Sequence, residues 1–151
     1  MLITEKNWQE HQDRFPDFYA SELASKDTGA IRVSFSFIDA LQLLRTRLGF
    51  PMVITSGCRT KAHNTEVGGH PRSLHICDEP RTHSWNTIPE NESLERTVPG
   101  TLAVDVRASR KYRGILFTAA WKDGWSVGWG DGFLHLDKRI WIGLYQTTFD
   151  Y

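Results

Sequence analysis

The sequence predicts an α+β fold in which helices flank a small, mostly antiparallel sheet. Three observations favour it: two stretches with apolar residues at helical spacing, several short apolar stretches typical of strands, and a glycine-flanked turn between the last two of these. Helices and antiparallel strands in this order pack as helices outside a sheet. With 151 residues, 40% of them hydrophobic, residues 1–151 are predicted to form one domain with a real core.

The first part of the chain is predicted to contain a lead-in and the longest helix. Residues 1–16 alternate between polar and aromatic types, which predicts a loose or partly helical segment, and Ser21 is a candidate N-cap just after it. The clearest helix begins at Ser34 or Ser36, either of which can cap it, and Gly49 ends it. Its apolar stripe consists of Phe37, Ile38, Leu41, Leu44 and Leu48.

The remaining elements are shorter. In chain order they are a strand at 52–55, a helix at 61–67, a strand at 102–106, a helix at 109–122 and strands at 125–129 and 133–137. The last two strands are joined across Gly130-Asp131-Gly132, a composition typical of hairpin turns. Side chains alternate between the faces of a strand, so His135 and Asp137 are expected on one face, and Ala103 and Asp105 likewise.

Composition and charge exclude several classes of protein. Eighteen basic and eighteen acidic residues balance, which disfavours electrostatic capture of nucleic acid. No apolar run reaches membrane-spanning length and the first residues lack a signal-peptide core, so we expect a protein made in the cytoplasm with no membrane segment. Cys58 and Cys77 are expected to be free thiols, and Cys77 is an alternative metal ligand because it follows His75 by two positions.

Three potential metal ligands end three short stretches of the chain. They are His75, Asp105 and His135, each thirty positions from the next. Two imidazoles and a carboxylate form an open zinc set, in which the fourth position is left for water. Spacing of this length does not fix a geometry, and the competing interpretation is two structural histidines and an ordinary strand-end aspartate.

A longer ordered pattern surrounds these ligands. Ile-Thr-Ser-Gly-Cys-Arg-Thr at 54–60 is followed by His-Asn at 63–64, Val-Gly-Gly at 67–69, and then the three ligand stretches. The whole resembles the pattern SGYR…HN…VGG…SxH…AxD…HxD of the zinc D-Ala-D-Ala peptidases. That family includes D,D-carboxypeptidases and dipeptidases, the L-Ala-D-Glu endopeptidases of phage lysins and, more distantly, the hedgehog domain. The resemblance covers roughly residues 17–141, with Cys58 where the family usually has tyrosine.

The resemblance implies a role for each matched residue. His75, Asp105 and His135 would hold Zn²⁺, which would activate water for attack on a peptide carbonyl. Arg59 would bind the substrate's oxyanion or terminal carboxylate through its guanidinium fork, the alternative being a surface ion pair. Ser73 would position the histidine stretch or bind substrate.

The proton-transfer group is where the chain departs from the family. Many relatives have an acidic residue three positions before the last zinc histidine, where this chain has Gly132. Asp131, on the connecting turn, is therefore the predicted general base. Asp137 matches the aspartate of HxD and is predicted to orient His135 without binding the metal itself.

A second departure is an insertion between two of the ligands. The family usually has only a few residues between the first histidine and the aspartate, whereas here a polar segment with three prolines occupies about 76–100. Loops this long inside a domain are usually functional lids or disordered. The insertion leaves the substrate preference open.

The resemblance implies a zinc metallopeptidase that cuts the stem peptides of bacterial peptidoglycan, as a D,D-carboxypeptidase or an endopeptidase. Without a signal peptide, an endolysin of phage or prophage type is expected, acting at the cell wall after release or as a virion component. The alternative is a non-catalytic virion or wall-binding module that retains the fold. Zinc hydrolysis of an amide outside the cell wall is a third possibility.

Overall fold

The computed structural model describes residues 1–79 and 100–151, and its architecture is the predicted α+β fold. Most of the predicted insertion at 76–100 lies outside the described residues. The helices are α1 Trp8–His11, α2 Ala20–Leu23, α3 Phe35–Leu48, α4 Lys61–Glu66 and α5 Arg110–Lys122. The strands are β1 Leu2–Thr4, β2 Arg32–Ser34, β3 Ile54–Ser56, β4 Ala103–Arg107, β5 Ser126–Trp129, β6 Phe133–Asp137 and β7 Thr148–Asp150.

The main sheet has five strands in the order β3-β4-β6-β5-β7. Its pairs are antiparallel except for β5 and β7, which run parallel, so the sheet is mostly antiparallel as predicted. In the β4–β6 pair, Asp105 lies directly opposite His135, and Ala103 lies opposite Asp137. Residues opposite each other in such a pair share a face, so this register brings two predicted ligands together.

Helix α3 begins and ends where the sequence predicts. The Ser34 hydroxyl oxygen accepts a hydrogen bond from the Phe37 backbone N–H at 3.2 Å, which satisfies one of the free donors of the first turn. Gly49 ends the helix in the left-handed conformation. The face that contains Phe37 and Leu41 is buried, and Phe37 packs edge-on against Trp125 with ring centroids 5.5 Å apart.

Helices α3 and α5 contact each other, and α5 also contacts β5 and β6, so the core lies between the sheet and this helical layer. The largest fully buried side chains are Trp125, Phe15, Phe18, Phe37, Ile3, Leu23, Ile31, Ile38, Leu41, Leu44, Leu102 and Leu116. The longest described helix, α3, has 14 residues, and no helix among residues 1–79 and 100–151 is long and apolar enough to cross a bilayer.

The start of the chain is partly helical, which is one of the two possibilities that the sequence predicts, because residues 8–11 form α1. Residues 2–4 form β1, which the sequence does not predict and which pairs antiparallel with β2. The prediction of Ser21 as an N-cap is wrong, because Ser21 lies inside α2 and Tyr19 is the cap residue. The Glu22 carboxylate accepts a hydrogen bond from the Tyr19 backbone N–H at 2.9 Å, which takes over the capping role.

Candidate metal centre

The three predicted ligand residues converge on one point of the sheet. His75 comes from the turn that precedes the undescribed segment, Asp105 from the middle of β4 and His135 from the middle of β6. His75 Nε2 lies 3.2 Å from Asp105 Oδ1 and 3.2 Å from His135 Nδ1, and His135 Nδ1 lies 3.0 Å from Asp105 Oδ1. All three residues are buried, and this group could hold a metal ion.

Each imidazole has one nitrogen occupied away from the cluster. His75 Nδ1 lies 2.8 Å from the Gly57 carbonyl oxygen, which can only accept, so Nδ1 carries the proton and Nε2 presents a lone pair. His135 Nε2 lies 2.9 Å from Asp137 Oδ2, which by the same logic leaves His135 Nδ1 as the lone-pair nitrogen. A second partner that fixes the tautomer in this way is typical of metal-ligating histidines.

The donor set fits a tetrahedral cation. Two imidazole lone pairs and a carboxylate oxygen face one another at 3.0 to 3.2 Å and need a positive charge between them. Zinc bonds of about 2.0–2.1 Å at tetrahedral angles separate neighbouring ligand atoms by about 3.3 Å. The spacing therefore suits zinc without rearrangement of the backbone.

The pKa shifts of the three residues also favour a positive charge at this point. Burial lowers the pKa of His75, so its imidazole is neutral. Burial acts against protonation of His135 as well, but hydrogen bonds with Asp105 and Asp137 outweigh it and raise its pKa. Burial also disfavours the Asp105 carboxylate, yet the two histidines hold its pKa well below the usual range. The two carboxylates thus favour a positive charge at this point of the sheet.

Asp137 is fully buried and held from both sides. Besides His135, its carboxylate accepts from Arg139 Nε at 2.9 Å, Arg139 Nη2 at 2.6 Å and the Arg139 backbone N–H at 3.0 Å. The bidentate arginine balances the buried negative charge and fixes the carboxylate plane. This is the location that the sequence predicts for a carboxylate behind His135.

Arg59 lies beside the cluster with its side chain nearly buried. Its Nη2 atom is 4.0 Å from Asp105 Oδ2, while Nη1 and Nη2 donate to Asn64 Oδ1 and Ser56 Oγ, each at 3.1 Å. Asn64 is fixed in turn by donating to the His70 carbonyl oxygen at 2.9 Å. A side chain at Gly69 would collide with Asn64, so the Val-Gly-Gly and His-Asn motifs together position the guanidinium.

The other two predicted site residues lie in different places. Ser73 lines the cleft described below, and its hydroxyl oxygen accepts from the His75 backbone N–H at 3.3 Å. Asp131 is exposed on the β5–β6 turn, four residues before His135. At strand spacing this offset is on the order of 10 Å, longer than an aspartate side chain reaches. The structure therefore places Arg59 and Ser73 near the ligands, and strand spacing argues against direct contact between Asp131 and the ligands.

An open cleft of about 760 Å³ reaches the site from one side. Its walls include the 68–74 turn, His135, Arg139 and residues 149–151. Sequence reasoning missed the last of these. Tyr151 lies with its ring centroid 5.2 Å from that of His135.

The Tyr151 phenol also lies within the electrostatic field of the cluster. Burial raises the pKa of Tyr151 and the Asp105 charge adds to the rise, while the positive charge of Arg59 opposes it. The only sequence signal was the alternation of Phe149 and Tyr151, which is too short to predict a strand or a site.

Comparison with known proteins gives one match. A family model described as Peptidase M15 matches residues 16–137. No curated protein and no solved structure matches the chain. The matched range includes Arg59 and all three converging residues, and it ends at Asp137, so β7 and Tyr151 lie beyond it.

Proposed function

The chain belongs to the peptidase M15 family, and on that premise we propose that it is a zinc-dependent peptidase of bacterial peptidoglycan stem peptides. One observation carries the proposal: three lone-pair atoms of His75, Asp105 and His135 face one another at 3.0 to 3.2 Å. A purely structural arrangement would need a proton on His135 to link these atoms, whereas a bound cation would satisfy all three at once.

His75 Nε2, Asp105 Oδ1 and His135 Nδ1 would hold the zinc ion. Zinc held there would lower the pKa of a coordinated water to about 7 and polarise the carbonyl group of the peptide bond to be cut. Asp137 keeps His135 in the tautomer that leaves Nδ1 available, and the Gly57 carbonyl does the same for His75 Nε2. We expect these two contacts to increase the affinity of the histidines for the metal.

Arg59 is the proposed substrate-binding cation. Its guanidinium is held by Asn64 and Ser56 and lies 4.0 Å from Asp105 Oδ2, so it presents a fixed positive charge beside the ligands. Donors fixed before the reaction stabilise a developing oxyanion without reorganising. The same fork binds a terminal carboxylate, which is the group a carboxypeptidase recognises. Ser73, on the cleft wall, is proposed to contact the peptide.

Cleavage also needs a group that transfers a proton to the leaving amine, within hydrogen-bond reach of it. Asp105 and Asp137 are engaged with the histidines. Asp131 stays the sequence-based candidate for the base, and its offset along the strand counts against it. The chain has Gly132 where many relatives have an acidic residue. This favours the second candidate function, a non-catalytic virion or wall-binding module.

The site of action is proposed on the same basis. A peptidase of stem peptides acts where its substrate lies, so the proposal is a phage or prophage endolysin that reaches the bacterial cell wall after release or as a virion component. Residues 1–151 are proposed to form one peptidase domain, with its insertion at 76–100.

Digestion of purified peptidoglycan, with mass spectrometry of the products, tests the proposal. Release of single D-alanine would identify a carboxypeptidase, and a new amine end within or between stem peptides would identify an endopeptidase. His135→Ala, checked by elemental analysis for loss of zinc, is the matched control and should release neither. Wild type that sediments with peptidoglycan but cuts nothing would support the binding module instead.

A further inference from the structure

The segment that follows the family-matched region returns to the metal centre. Strand β7 pairs in parallel with β5, with Gly128 opposite Phe149 and Trp129 opposite Asp150. The Tyr151 backbone N–H donates to the Trp129 carbonyl oxygen at 2.9 Å, which continues the strand by one contact. Tyr151 is thereby anchored by its backbone.

The sequence provides the space that the rings of this segment need. Gly128 lies directly opposite His135 in the β5–β6 pair. A Cβ atom at Gly128 would lie 2.6 Å from Phe149 Cε2, which is closer than carbon atoms pack, and would make a tight contact of 3.1 Å with Tyr151 Cδ2. The glycine therefore leaves the face above His135 open for the two aromatic rings.

The Tyr151 ring is located by two neighbours. Its centroid is 5.2 Å from the centroid of His135, with the planes tilted by 31°, and 5.2 Å from the centroid of Phe133. Its phenol also lies close enough to the Arg59 guanidinium for that charge to oppose the rise in the pKa of Tyr151. The residue is nevertheless 58% exposed and lines the cleft, so a ligand in the cleft can reach it.

We propose that Tyr151 is a catalytic residue whose hydroxyl group, together with the Arg59 guanidinium, donates a hydrogen bond to the carbonyl oxygen of the peptide bond being cut. The Arg59 guanidinium lies 4.0 Å from Asp105 Oδ2 and the Tyr151 ring lies over His135, so the two side chains offer two donors next to the ligand cluster. Such a pair stabilises the negative charge that develops on this oxygen. The inference rests on the proposed peptidase function and adds a group that the family pattern does not contain.

Tyr151→Phe in the full chain tests the proposal, because it removes only the hydroxyl group and keeps the ring on His135. We expect kcat for a peptidoglycan stem peptide to fall about 10²-fold, with zinc content and thermal midpoint unchanged. Tyr145→Phe is the matched control, since Tyr145 is 93% exposed, and it should behave as wild type. Turnover equal to that of wild type in Tyr151→Phe would overturn the proposal. Higher turnover would overturn it too, because the hydroxyl group would then obstruct the site.

A binding measurement separates this inference from the proposed function. Methylphosphonate, a tetrahedral oxyanion with no peptide specificity, is titrated into the cobalt-loaded protein and followed by the cobalt absorption bands. Tyr151→Phe should weaken its binding about tenfold, the equivalent of one hydrogen bond to a charged group. Equal affinities in both proteins would overturn the role of Tyr151. Tyrosine-dependent binding in a wild type that cleaves no stem peptide would contradict the proposed function alone.

Discussion

At the scale of single residues, the two histidines use different ring nitrogens, His75 Nε2 and His135 Nδ1. The choice is made by the groups behind them, the Gly57 carbonyl and the Asp137 carboxylate. Replacing one of these partners should therefore affect the metal without touching a ligand.

Asp137→Asn should weaken zinc binding by about 10- to 100-fold, because an amide orients the imidazole less strongly and leaves its basicity lower. Zinc affinity is measured by competition with a chromophoric chelator. Asp131→Asn is the matched control and should keep its zinc. Undiminished affinity in Asp137→Asn would show that His135 does not depend on this contact. Turnover in the Asp131→Asn protein then decides the base: its loss would support Asp131, and its retention would assign proton transfer to another group.

Arg59→Lys should reduce turnover by at least about tenfold while zinc content and unfolding stay as in wild type. Lysine keeps the charge but cannot donate to Asn64 and Ser56 in the same fork, so its position beside Asp105 is lost. Steady-state kinetics with a stem peptide measure the effect. A variant as active as wild type would reduce Arg59 to an ion pair with no part in catalysis.

At the scale of elements, how far the sequence predicts the structure depends on whether an element carries its own signal. Helix α3 has a capping serine, an apolar stripe and a terminal glycine, and β6 alternates over five residues, so both are predicted within about a residue. Strands β1, β2 and β7 have three residues each and form because a distant backbone edge pairs with them. Pairing of that kind leaves no local pattern.

The same distinction applies to the site. The convergence of His75, Asp105 and His135 could be predicted because ordered motifs surround them. The spacing of the three residues alone would not have predicted it. Tyr151 could not be predicted, because its place depends on the parallel return of β7 and on the open face at Gly128. Asp131 is close to His135 in sequence, but it lies on the hairpin turn two residues before β6 begins.

Lys138, at the end of β6, gives a prediction about pH. Its ammonium donates to the Asp123 carbonyl oxygen at 2.6 Å and lies 4.4 Å from the Trp125 ring centroid, and burial lowers its pKa to about 8 from its ordinary 10.5. Below pH 8 the lysine is charged in both states and folding bears the full cost of burying it. Between the two pKa values only the unfolded chain holds the proton, so stability rises with pH.

Lys138→Met has no group that titrates at this position, so it serves as the reference protein for measuring the effect of pH on stability. The unfolding free energy of wild type, measured by urea denaturation, should increase relative to that of Lys138→Met between about pH 8 and 10. Surface lysines and tyrosines are common to both proteins and cancel in the difference. A difference that stays constant with pH would mean that the cation–π contacts keep the pKa of Lys138 at its ordinary value.

At the scale of the whole molecule, the ligands come from three segments thirty positions apart, so a bound ion would add a further link between segments that are already joined by backbone hydrogen bonds. Zinc at about 100 times its dissociation constant should stabilise the fold by about 2.7 kcal/mol, provided that the unfolded chain does not bind it. For a chain of this size the thermal midpoint should rise by roughly 5–10 °C.

Differential scanning calorimetry with a chelator and with a zinc series checks this expectation. The midpoint should climb with the logarithm of free zinc above the dissociation constant. His135→Ala should show the same midpoint in both conditions. A wild-type midpoint that does not respond to zinc would contradict the placement of the ion between these segments.

The direct opposition of Asp105 and His135 across β4 and β6 has one more consequence. A slip of one residue in this pairing would turn His135 and Asp137 into the core and Leu134 and Leu136 towards the cleft. Two ligands would separate at once, and the chain would lose the ion together with part of its apolar packing. Metal uptake by a freshly refolded sample therefore counts the molecules whose two central strands have aligned correctly, and misaligned chains can be separated from them by their lack of metal.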